Sequence, residues 1–227
     1  MTRERLQVAV SGNGIATVTM NRPPANALDR VFMRELREVA EEFSMNPELR
    51  VVVLRSAVPR FFMAGADLAM LDSGWDRMLP TIRAFHDAGN AWERIPVPTI
   101  AVIDGVALGA GCELALTCDF RIASDRAKIG CPEVKIGLIA SGGGTQRLPR
   151  LIGRGPAMDL MLRGRPAGAE EALRFGLVTD VAAPEELDAR VAELAEELAA
   201  LPTLAVRETK RCIVAGLDGS MGSGLQL

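Results

Sequence analysis

The chain has 227 residues, 48% of them hydrophobic, with a formal net charge of −3 and a pI near 5.4. That length suits one large domain, or one domain with a small appendage, and the apolar fraction is ample for a packed core, which excludes general disorder. The acidic balance gives no electrostatic footprint for nucleic acid, and MTRERLQVAV has no long apolar run before a small-residue cleavage site, so no secretory leader is expected.

LQVAV and IATVTMN alternate on either side of SGNG, the pattern of a hairpin. NRPPANAL is a loop, and Asp29 suits the N-cap of a helix that carries Phe32, Leu36, Val39 and Phe43 on one face. VVVLRSA is a β-branched run expected of a strand covered on both sides. FFMAGADLAML reads as a loop turning into a helix, followed by a helix over 76–94 and a buried strand at TIAVIDG. The stretch PVPTIAVIDGVALGAGCELAL is apolar enough to suggest a membrane span, but Asp104, Glu113 and its glycines make it buried core instead.

GAGCELAL opens a helix, FRIAS is a strand, and GGGTQRLPRLIG is a glycine-rich helix start. Helical spacing continues through 156–163 and 168–175, and VTDVAA is a last strand. PEELDARVAELAEELAAL is an amphipathic helix with acids in its first turn, its apolar face expected to serve subunit contact. A helix over 203–215 and a flexible GLDGSMGSGLQL tail complete the chain. Strand–helix alternation with short connections predicts an α/β fold with mostly parallel pairing. Two regions are expected: a core over 1–184 and a helical C-terminal lobe over 185–227.

Glu113 is the residue that calls for explanation. It lies in an apolar, small-residue run, and a buried carboxylate without a partner shifts its pKa before it stays charged. Two loops of small residues, MAGAD (63–67) and LGAGCE (108–113), lead into helices, and a helix start leaves amide protons unpaired. Two such starts facing one spot would put two donors on one oxygen, an oxyanion hole. Taken alone, each loop is more often ordinary helix-on-strand packing. Glu133, in CPEVKIGL, is a second acid among apolar neighbours, and two carboxylates tuned apart can serve as acid and base. Taken alone, such a pair is more often two partly solvated acids beside arginines.

Other chemistries have less to work with. His86 is the single histidine, with no nucleophile elbow near it, and a lone helical histidine is usually a satisfied or surface residue. Cys112, Cys118, Cys131 and Cys212 show no C-x-x-C spacing and read as reduced thiols of a cytoplasmic protein. Clustered metal ligands are missing, and SGGGTQRL lacks the P-loop lysine.

In order and spacing, NRPPANAL, FFMAGADL, IDGVALGAGCELALTCDFRIAS, CPEVKIGL and SGGGTQRLPRLIG together resemble the enoyl-CoA hydratase/isomerase (crotonase) family, over roughly residues 5–215. The resemblance implies a crotonase-like spiral of repeated ββα units with C-terminal helices, assembled as a homotrimer or hexamer. It implies a coenzyme A ester as substrate, with coenzyme A part of that substrate and no separate cofactor or metal. The backbone amides of Ala64 and Ala110 would form the oxyanion hole. Glu113 would orient and deprotonate water, and Glu133 would protonate C2 of a 2-enoyl-CoA ester. Ala25, Ala27 and Leu28 would line the coenzyme path. Ala66, Asp67 and Leu68 would contact the ligand near its adenine and pantetheine portions, with Leu108 and Pro132 as walls of the acyl site.

This sequence departs from the family pattern at Ala110, where many members have glycine, at Ala140–Ser141, where a Pro-Gly-like pair is common, and in a shorter C-terminal lobe. The same fold hosts isomerases, decarboxylases, hydrolases and racemases, and also non-catalytic or RNA-binding members.

Overall fold

The structure, a computed structural model, describes residues 3–73 and 75–227. Strands β1 (Leu6–Val10) and β2 (Ile15–Met20) form the expected antiparallel hairpin, with Leu6 opposite Met20. Helix α1 (Arg30–Ser44) follows, and the Asp29 side chain caps it by accepting from the Phe32 amide at 2.8 Å. Its buried stripe includes Phe32, Leu36, Val39 and Phe43, the face read from the spacing. Strand β3 (Val51–Ser56), β4 (Phe61–Met63) and a 3-10 turn (Leu68–Ser73) lead to α2 (Trp75–Glu93). Strands β5 (Thr99–Ile103) and β6 (Val106–Leu108) then run into the short helix α3 (Ala110–Ala115).

After β7 (Phe120–Ser124) and β8 (Lys128–Gly130), a 3-10 turn (Glu133–Ile136) precedes α4 (Gly144–Ile152) and α5 (Arg154–Leu162). Next come β9 (Ala167–Gly168), α6 (Ala169–Phe175), β10 (Asp180–Ala182), α7 (Leu187–Ala200) and α8 (Thr203–Leu217). The tail expected to be flexible contains a further short helix, α9 (Met221–Gly224), whose Ser220 side chain accepts from the Ser223 amide.

The strands make two sheets. One has the order β1-β2-β3-β5-β7-β10, parallel from β2 onward; the other is β4-β6-β8-β9, with β4, β6 and β8 parallel. Side-chain alternation splits the first sheet's residues between two apolar layers. Val51, Val53, Ile100, Val102 and Ile122 pack against Leu187, Val191, Ala195 and Ala199 of α7. Val52, Leu54, Ala101, Ile103 and Ala123 face the main core, shared with α1, α2, α3 and the second sheet.

The apolar face of α7, expected to serve subunit contact, is therefore spent on the sheet. It is α8 that has no buried residue, with Leu204, Ile213 and Leu217 exposed. Among the described residues, no helix is long and apolar enough to cross a membrane.

Candidate active site

Three parallel strands of the second sheet end side by side: Met63 of β4 pairs with Ala107 of β6, and Leu108 of β6 with Gly130 of β8. The segments continuing from those ends are Ala64–Asp67, Gly109–Glu113 and Cys131–Glu133. Crevices at the carboxyl ends of parallel strands are the usual ligand sites of open α/β sheets. Close approach depends on glycine. Gly109 has φ 54° and ψ −122°, and a β-carbon there would stand 3.1 Å from Glu133 Oε1 and 3.7 Å from the Gly65 Cα. At Gly111 a β-carbon would lie 2.1 Å from the Met63 carbonyl oxygen, so α3 docks backbone to backbone on the end of β4.

The amides of the first loop do not divide as the sequence suggested. The Ala64 N–H donates to the Ala25 carbonyl at 3.0 Å, which removes it from the free donors and corrects its expected place in the oxyanion hole. The Leu28 N–H donates to Gly65 O (2.9 Å) and the Asp67 N–H to Leu28 O (2.8 Å), a parallel bridge that leaves out the Ala66 N–H. Among the described residues, the Ala66 N–H and the N–H of Ala110, which opens α3, have no hydrogen-bond partner. Two free amides thus stand on two loops in contact.

Glu113 is 3% exposed, and its Oε1 accepts from the Gly144 N–H at 2.9 Å. A second amide, from Gly142, also bonds this carboxylate. Burial pushes the Glu113 carboxyl up to about 7, with the Glu133 charge adding to the rise and the two amides opposing it. Glu133 follows Pro132 at the start of the 3-10 turn; burial raises its carboxyl as well, and its Oε2 is buried without a hydrogen-bond partner among the described residues. The Glu133 charge makes ionising Glu113 harder, which helps to keep one of the two acids protonated.

The glycines at 142–144 make this arrangement possible. A β-carbon at Gly142 would stand 2.0 Å from Phe85 Cε1 and 2.6 Å from Glu113 Oε2. Gly142→Ala is therefore expected to displace the Glu113 carboxylate and lower kcat by up to about a hundredfold, the scale of an ångström-sized misplacement. Steady-state kinetics checks this, and an unchanged kcat would mean that the loop relaxes without moving Glu113.

The remaining candidates are distributed around these groups. Ala25 and Ala27 are half-buried in a loop held by Arg22, which donates from Nη1 to Ala27 O (2.7 Å) and from Nη2 to Asp67 Oδ2 (2.6 Å). That guanidinium holds the Asp67 carboxyl below its ordinary range, so Asp67 is a strut between two loops rather than a free polar contact for a ligand. Leu28 is fully buried, with its N–H and C=O both spent on the Gly65–Asp67 loop, whereas Leu68 is exposed. Leu108 and Pro132 are half-buried at the ends of β6 and β8. Beside Glu133 lies a cavity of about 330 Å³ lined by Cys131, Val134, Ala140, Met158, Met161 and Leu162 among others. Its α5 wall was not anticipated, because helical spacing over 156–163 marks a helix but not what that helix lines.

The sequence pattern of the enoyl-CoA hydratase/isomerase family matches residues 11–225. A short-chain-enoyl-CoA hydratase of Clostridium acetobutylicum is 38% identical over 218 residues, covering 93% of this chain and 82% of that protein. The (E)-benzylidenesuccinyl-CoA hydratase of Thauera aromatica is 39% identical, covering 94% and 84%. Among solved structures, an enoyl-CoA hydratase from Bacillus anthracis superimposes with a TM-score of 0.94 at 36% identity, covering 98% of this chain and 87% of its own.

Proposed function

From the premise that the chain belongs to the enoyl-CoA hydratase/isomerase family, we propose that it adds water across the 2,3 double bond of a 2-enoyl-CoA ester. The single observation that carries this reading is the pairing of a buried carboxylate, Glu113, and a half-buried one, Glu133, with two free backbone amides at one crevice. Both crotonase-type glutamates and both donors are needed for hydration, whereas enolate chemistry in general needs only the donors.

Ala66 and Ala110 donate their N–H groups to the thioester carbonyl oxygen, where negative charge builds as water adds at C3. Glu113, its anion held by the Gly142 and Gly144 amides, takes the proton from that water. As the C3–O bond forms, the π electrons of C2=C3 move toward the carbonyl to give an enolate. Glu133 then gives its proton to C2. A buried oxygen with no partner favours the neutral acid, which suits Oε2 of Glu133 to this donor role. The apolar cavity beside Glu133 would take the acyl group.

The test is loss of the conjugated thioester absorbance when the protein is mixed with a panel of enoyl-CoA esters. A protein that leaves the whole panel unhydrated but isomerises or cleaves CoA esters would replace this reading with another reaction of the family. The panel also needs aryl-substituted members, because relatives of nearly equal identity carry short-chain and benzylidenesuccinyl names.

The pH profile follows from the same groups. The base must be ionised, so kcat/KM is expected to rise with pH along a limb centred near the Glu113 value of about 7. Rates from about pH 5 to 9.5 check this, and a flat profile through neutrality would contradict the assignment of Glu113 as base.

The proposal extends to a homotrimer or hexamer in the cytoplasm. The exposed apolar residues of α8 and the four free cysteines support that reading, and sedimentation at micromolar concentration tests the assembly.

A further inference from the structure

The Glu113 carboxylate is only as well placed as the segment that supplies its amides. Residues 139–143 are irregular backbone, and their hydrogen bonds to one another are local. The Thr145 N–H reaches Ala140 O at 3.4 Å, and the Gln146 and Arg147 amides donate to Gly143 O at 2.9 and 2.8 Å. Among the described residues, two hydrogen-bonded ties connect Ser141–Gly144 to distant parts of the chain. One is Glu113 itself, and the other is His86 Nε2 to the Ser141 carbonyl, at 2.5 Å across 55 residues. A carbonyl oxygen only accepts, so Nε2 carries the proton.

Helix α2 presents His86 next to Phe85, whose ring closes on Gly142. One turn and two turns further on, Asn90 and Glu93 hold Arg147 of α4 at 2.8 Å each. One face of α2 therefore braces the loop at several points, and among the described residues His86 supplies its only direct bond to the loop backbone.

Resting on the hydratase reading above, we propose that His86 is a positioning residue. By donating from Nε2 to Ser141 O it fixes the loop whose Gly142 and Gly144 amides hold the Glu113 carboxylate. The consequence is electrostatic as well as steric. Amide hydrogen bonds favour the ionised form of a carboxylate, so a loop freed from His86 holds the Glu113 anion less well. The groups facing Glu113 from other elements are Glu133 after β8, Arg147 on α4 and the Cys131 thiol, and among the described residues none of them is a hydrogen-bond partner of His86.

The experiment compares wild type, His86→Ala, His86→Leu and His86→Gln by crotonyl-CoA kinetics and by titration of ¹³C-labelled glutamate side chains, with Glu113→Gln assigning the signal. For His86→Ala and His86→Leu, kcat is expected to fall about tenfold with KM within about twofold, the scale of lost positioning rather than lost binding. The Glu113 titration should move upward by about half a unit or more. His86→Gln keeps a donor of similar reach and should bring back most of both. A folded Ala or Leu variant with wild-type kcat and an unmoved titration overturns the proposal, as does a Gln variant no better than Leu. If His86→Ala fails to fold, the Leu and Gln pair decides alone. Wild type that hydrates no enoyl-CoA sinks the hydratase reading, while the titration still answers for His86.

Discussion

Glu113→Gln is expected to lower kcat for enoyl-CoA hydration by about 10²–10⁴-fold, the range for a positioned acid–base group, with KM nearly unchanged. The same substitution is expected to leave the fold more stable at alkaline pH. Burial lifts this carboxyl from 4.5 to about 7, so folding favours its protonated form. Its contribution is fully present below pH 4.5 and is lost as pH rises through about 7, a swing on the order of 3 kcal/mol. Glutamine has nearly the same shape and never carries the charge, so calorimetry at about pH 8 should show a higher Tm than wild type by several degrees. Glu133→Gln should match the kinetic loss. A Glu113→Gln protein that is inactive because it is less stable at every pH would make Glu113 a buried structural acid instead.

What could be read beforehand follows from how long each pattern runs. The α1 stripe spans several turns, and β3 alternates between two covered faces, so both were legible from Phe32, Leu36, Val39 and Phe43 and from Val51 to Leu54. Strands β4, β6 and β8 have three residues each, too short for any period to appear, yet they set the three site segments side by side. Glu113 stood out because its charge breaks an apolar run. The choice between Ala64 and Ala66 was not legible, since M-A-G-A-D repeats small residues and the deciding partners, Ala25 and Leu28, lie about 40 residues away in a loop. His86 was passed over for a similar reason: a lone helical histidine carries no local signal, and only the fold brings Ser141 to it. The apolar face of α7 could be recognised, but whether a sheet or another subunit covers it is a tertiary fact.

Ala110→Pro is the change that most directly separates a working oxyanion hole from tight packing, and it is expected to cost about 3 kcal/mol of transition-state stabilisation, or roughly a hundredfold in kcat. Proline removes the amide proton proposed to meet the thioester oxygen. Position 110 is the first residue of α3, where proline is well tolerated because that N–H has no helical partner. The preceding residue is Gly109, whose φ of 54° and ψ of −122° are the mirror image of an extended conformation, open to glycine before proline. Circular dichroism should therefore report a native fold. Ala110→Gly keeps the amide and should keep the rate. Ala64→Pro is the contrast, because it breaks the bond to Ala25 O that shapes the first loop and should weaken the loop and ligand affinity before it slows chemistry. A folded Ala110→Pro enzyme that hydrates at the wild-type rate would show that this amide carries no developing charge, and would leave Gly109 and Gly111 as devices for packing α3 against β4 alone.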